Sequence, residues 1–156
     1  MPEVTLTSGG TRRLLSIKRR ILGKVGTLDD SLTRYNVDHQ ETAEKAKDAK
    51  EKFMPYIELL ERVVVSKSLF LSDAEVLLLV HYPEQKKALS ELVTASFGFP
   101  APDDGPDFDL KVRQCDDARH GIRNQVNGLM GDLREASGIL ELSLRRGTQT
   151  GPDGRT

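Results

Sequence analysis

The side chains best able to do chemistry are few. Cys115 is the single thiol, and Asp116, Asp117 and His120 follow it in the same stretch. A zinc centre takes about four Cys, His or carboxylate ligands. Cys115 and His120 lie about 140° apart around a helix, so they share no face, and no Cys-x-x-Cys or His pair completes a set. A thiol nucleophile needs a neighbouring base and a lowered pKa, which the spacing does not supply. His39 and His81 are isolated in sequence. There is no Gly-x-Ser-x-Gly, His-Glu-x-x-His or dinucleotide fingerprint. Gly23-Lys24-Val25-Gly26-Thr27 has neither the spacing nor the preceding strand of a phosphate loop. The residues point to a chain that is no enzyme and holds no metal or cofactor.

Charge offers a second kind of chemistry. Net charge is −1, yet Thr11 to Gly26 carries Arg12, Arg13, Lys18, Arg19, Arg20 and Lys24 with no acid among them. Leu14, Leu15, Ile17, Ile21, Leu22 and Val25 recur at helical spacing between them. A basic amphipathic helix suits phosphate backbones, an anionic membrane or an acidic helix, or it is simply the solvated face of a core helix. Gly98 to Pro106, with Asp107 and Asp109 beyond it, is an acidic loop that the basic helix could meet. The run Lys18 to Leu28 is similar to the basic helix opening the Gag-like polyproteins of Pao/BEL retroelements, which a charged coiled-coil segment follows there too. That local resemblance implies association with nucleic acid.

These residues need elements to position them. From Thr11 to about Lys67 apolar or small residues recur at steps of four and three. Leu14, Ile21, Val25, Leu28, Leu32 and Tyr35 are followed by His39, Thr42, Ala46 and Ala49, then by Phe53, Tyr56, Leu60 and Val63. A sustained seven-residue repeat is the seam of a helix packing along another. The pattern predicts one long helix, or two in line, about 66 Å from Thr11 to Met54 at 1.5 Å per residue. Gly23 and Gly26 permit a hinge near Thr27, and Pro55 predicts a kink. His39 falls on the seam, where a lone polar residue sets register.

Ser72-Asp73-Ala74-Glu75 reads as a capping box. It opens a helix whose run Val76 to Val80, apolar nearly all round, is expected to be the most buried piece of the chain. Pro83 breaks or kinks it, and Glu84 to Phe97 forms the second helix of a short apolar pair. Asp107 can cap a last helix running to about Arg146, with the seam Cys115, Ile122, Val126, Leu129, Leu133, Ala136, Leu140 and Leu144. Antiparallel packing of the first and last helices is the economical arrangement. Gly121, Gly128, Gly131 and Gly138 on the last helix admit a close neighbour or mark a marginal helix.

The predicted fold is all-α, an elongated helical bundle or helical hairpin with coiled-coil character. Its single domain spans residues 11–146, with disordered segments at 1–10 and 147–156 and an internal loop at 98–106. Aromatics are only 5% of the residues and charged residues 30%, a balance that fits solvated helices better than a β-sandwich. No apolar run reaches membrane-spanning length, the start lacks the pattern of a signal peptide, and one cysteine forms no internal disulfide. A soluble intracellular protein is expected. The expected function is non-catalytic helical interaction and assembly, by self-association or with a helical partner. Its seam would be Leu14, Ile21, Val25, Leu28, Leu32, Tyr35, Phe53, Tyr56, Leu60, Val63, Ile122, Val126, Leu129, Leu133 and Leu140. The competing reading is a nucleic-acid-associated structural protein contacting phosphates through Arg12, Arg13, Lys18, Arg19, Arg20 and Lys24.

Overall fold

The computed structural model describes residues 3–149. Its elements are β1 (Glu3–Thr5), α1 (Ser8–Gly26), α2 (Asp30–Arg34), α3 (Gln40–Ser66), β2 (Ser68–Phe70), α4 (Leu71–Glu75), a π-helical segment (Val76–His81), α5 (Tyr82–Ser96) and α6 (Phe108–Gln149). The fold is all-α apart from β1 and β2, which pair antiparallel with Val4 opposite Leu69.

Around the core, α1 packs on α3, α3 on α5, α5 on α6, and α6 back on α1. Polar contacts step in opposite directions along three of these pairs, α1 with α3, α3 with α5 and α1 with α6. Lys18 meets Glu61 and Asp29 meets Lys50, Lys52 meets Gln85 and Lys45 meets Glu91, and Arg20 meets Asp132 while Thr27 meets Gln125. The result is an up-down-up-down four-helix arrangement. The first and last long helices are indeed antiparallel.

The long first helix is broken where the chain has reason to turn. Thr27 caps α1, its N–H bonding to the Lys24 carbonyl at 3.2 Å. Asn36 takes a left-handed conformation, φ 54°, which Asn tolerates better than most residues. His39 is not a seam residue: its Nδ1 accepts from the Thr42 N–H and caps α3. Pro55 lies inside α3, which continues through it to Ser66. Lys67, with φ 55°, ends that helix in the left-handed cap conformation.

Four further expectations are corrected. Residues 3–10 are no loose arm: β1 is paired, the Leu6 N–H bonds the Lys67 carbonyl at 2.9 Å, and Thr7 caps α1 by accepting from Gly10 N. Ser72 is no cap, because α4 already starts at Leu71 after Phe70. Pro83 does not break its helix; it sits in the first turn of α5, where a missing N–H is tolerated. Just before it the spacing widens, Tyr82 N–H reaching back to the Leu77 carbonyl. Gly147 does not end α6, which runs to Gln149. The rest of the expected terminal segments, 1–2 and 150–156, lies outside the described residues.

The glycines of α6 divide by what they face. A Cβ on Gly121 would stand 2.1 Å from Ser31 Oγ, so α2 is seated against that bare backbone. At Gly128 it would meet the flexible end of Lys24, 3.1 Å from Nζ, and at Gly131 and Gly138 nothing within 4 Å. Gly121→Ala is therefore expected to destabilise by about 1–3 kcal/mol through overpacking, whereas Gly131→Ala and Gly138→Ala should each stabilise by roughly 0.5–1 kcal/mol. Urea unfolding of the three variants checks the opposite signs.

Candidate interaction surface

The seam closes within the chain. Leu14, Ile21, Leu28, Phe53, Tyr56, Leu60, Leu129, Leu133 and Leu140 are fully buried. Val25, Leu32, Val63, Ile122 and Val126 are nearly so, and Tyr35 packs half-buried against them. These side chains are occupied by one another, so surface for a partner has to be sought elsewhere.

Most of the basic residues are also occupied. Asp132, 6% exposed, accepts from Arg20 Nε at 3.2 Å and Lys24 Nζ at 2.7 Å. Glu135, one turn on, takes Arg20 at 2.8 Å and Arg13 at 3.5 Å. Lys18 pairs with Glu61 on α3. The acids that meet the basic helix are thus on α6 and α3 rather than in the 98–106 loop. Arg12 and Arg19 remain exposed without an ion pair among the described residues. The loop is held instead by Phe99, 6% exposed, under the Arg119 guanidinium at 5.0 Å and edge-on to His39 at 5.3 Å.

The groups with catalytic side chains do not converge. Cys115 is half-buried and lines a cleft of about 470 Å³ with Asp38, Asp103 and Lys111, with no histidine beside it. His120 is exposed beside Arg119 and Arg123. His39 caps a helix. Among the described residues no group of three His, Cys, Asp or Glu side chains is placed to hold a metal ion.

The run Val76 to Val80 reverses its expected role. Leu77 is buried and Leu78 partly so, but Leu79 is 70% exposed and Val80 53%. Val76 and Leu71 are exposed as well. In the α4–π–α5 rod, the π segment and α5 pack on α3, and α5 packs on α6 as well, which buries Leu77, Gln85, Ala88, Leu89 and Leu92, while Leu71, Val76, Leu79 and Val80 stay outside both contacts. Two backbone irregularities flank one cleft here: Pro55 of α3 and the π segment, represented by Val76 and His81. The cleft, about 480 Å³, also takes in Glu58, Leu59, Arg62 and Asp73. Arg62 and Asp73 carry it into a second hollow of about 450 Å³, walled by Val63, Val65 and Phe70. Behind it Tyr56 stands edge-on to His81, ring centroids 6.4 Å apart. The Tyr56 hydroxyl, His81 Nδ1 and Gln85 Oε1 are buried without hydrogen-bond partners, and burial pushes the Tyr56 phenol pKa above its ordinary value. π-helical turns recur at functional sites because their widened spacing re-aims side chains.

Sequence reasoning missed Asp132 and Glu135, whose i, i+3 spacing was the available signal, and it placed the Val76–Val80 run in the core. No helix among the described residues is long and apolar enough to cross a membrane. No protein-family model, curated protein or solved structure matches the chain. The resemblance of Lys18 to Leu28 to retroelement Gag-like proteins gains nothing from these comparisons.

Asp132→Asn removes the negative charge from two charge-assisted hydrogen bonds and replaces one of the two acceptor oxygens with a donor facing a cation. Arg20 and Lys24 stay partly exposed and regain water, so the expected loss is about 1–3 kcal/mol in urea unfolding.

Proposed function

We propose that the chain is a non-catalytic helical module that works by protein–protein contact, self-associating through the outer side of the α4–π–α5 rod rather than through its heptad-like seam. The observation that carries this reading is the exposed group Leu71, Val76, Leu79 and Val80. Single exposed apolar residues are ordinary, but several on successive turns beside an apolar groove are the mark of a contact surface. Leaving Leu79 in water forgoes about 1.5–3 kcal/mol that burial would supply. The seam cannot serve twice, since its side chains already fill the core.

Light scattering over increasing concentration tests the reading. The wild-type mass is expected to rise by about 0.5 mM, the regime of weak, transient interfaces. The Leu79→Asp, Val80→Asp double variant is expected to remain monomeric with stability unchanged within about 0.5 kcal/mol, as for surface substitutions. A wild-type monomer throughout that range would overturn self-association.

Binding to nucleic acid is the less supported use. With Arg13, Lys18, Arg20 and Lys24 ion-paired inside the chain, Arg12 and Arg19 are left to meet phosphates. Any affinity for duplex DNA is then expected to fall with a log–log salt slope of about −2 or shallower, given about −0.9 per phosphate. A slope near −5 in a fluorescence titration would restore the nucleic-acid reading.

A further inference from the structure

We infer that the occupant of the groove between α3 and the α4–π rod is the outer face of α1 from a second copy of this chain, in a head-to-tail contact. The inference rests on the self-association proposed above and moves its centre to the groove, of whose lining Val76 is the member shared with that exposed group, while Leu71, Leu79 and Val80 lie outside the lining. The groove runs along α3 from Pro55 to Ser66, about 16 Å at 1.5 Å per residue. Its apolar lining is Pro55, Leu59, Val63, Val65, Phe70 and Val76. Glu58 and Asp73 stand on its banks with Glu75 close by in α4, and none of the three makes an ion pair among the described residues. Arg62 is the single unpaired cation among its lining residues.

The outer face of α1 is its complement. Arg12 and Arg19 are unpaired and line a shallow hollow with Leu15 and Ser16, and Leu22 is 46% exposed. From Arg12 to Leu22 is about 15 Å along the helix, the length of the groove. An apolar ridge carrying two free guanidinium groups, with no acid on its helix, fits an apolar groove with carboxylates on its banks. A two-fold contact of groove on groove would instead gather the Glu58, Asp73 and Glu75 carboxylates of both copies with only the two Arg62 guanidinium groups to offset them, a net repulsion. Two different patches on each molecule make the contact heterologous, and it propagates into rings or open chains.

Charge reversal tests the pairing. Glu58→Lys, Asp73→Lys spoils the groove and leaves the ridge; Arg12→Glu, Arg19→Glu does the opposite. Each variant alone should be monomeric by light scattering, the two mixed should associate in alternation, since native ridge then meets native groove and reversed groove meets reversed ridge, and all four changes in one chain should restore association. Wild-type association should weaken at least several-fold between low and moderate salt, as screening dictates. If Asp73→Lys unsettles the first turn of α4, Glu58→Lys alone carries the groove arm, with circular dichroism confirming the fold. Association that persists in both reversed variants would overturn this pairing while leaving self-association standing. A monomeric wild type would overturn both.

Discussion

Removal of the apolar faces of α1, α3, α5 and α6 from water by one another is the constraint from which the other features descend. Leu14, Ile17, Ile21, Phe53, Leu60, Leu89, Leu92, Ile122, Leu129 and Leu133 are all buried with essentially no exposure. Each such side chain contributes about 1.5–3 kcal/mol relative to exposure. That burial requires the chain to double back, so the stretch after Gly26 has to break helix, and α2 with its flanking turns does so. Once α1 and α6 lie antiparallel, Arg20 and Lys24 come within reach of Asp132. A nearly buried carboxylate with two cationic donors is far better off than one left alone. The ion pairs are thus a consequence of the packing rather than its cause.

The same constraint exposes the one region that does not comply. The rod from Leu71 to Ser96 packs on α3 and, through α5, on α6, yet leaves Leu71, Val76, Leu79 and Val80 outside both contacts. Its widened turns at Val76–His81 lie against Pro55, so neither element presents a regular ridge to the other. Ridges into grooves is how helices close tightly; here a cleft remains, with orphaned polar atoms of Tyr56, His81 and Gln85 behind it. The apolar groups outside that cleft are the price of a rod richer in apolar residues than its two contact faces can use. Natural cores rarely leave buried polar atoms unpartnered, and three of them lie beside this cleft.

Some of this was legible in the residues alone. Because burial on one face imposes a 3.6-residue period wherever the partner is, the four-three spacing identified the helical class and most core residues of α1, α3 and α6, though not Ile57, Leu59, Ala118 or Ile139. The basic character of α1 was equally plain. A capping box at Ser72 and a helix end near Arg146 were misread, because local propensities of a kcal/mol or less yield to helical continuity imposed by packing. The four glycines of α6 left close approach and a marginal helix equally open, and the seating of Ser31 on Gly121 decides for close approach at that position alone.

The sequence by itself determined that the chain is helical, that its seams would be buried, and that a strong positive charge would sit on the first helix. Only the tertiary structure decided that the seams close on each other within one chain, that Asp132 and Glu135 neutralise the charge from over a hundred residues away in sequence, and that Leu79 and Val80 face outward. The physical reason is common to all three. A period or a composition specifies what a face requires, an apolar neighbour or a counter-charge, but it carries no address for the group that meets the requirement. That address is set by where the turns fall and how far each helix reaches.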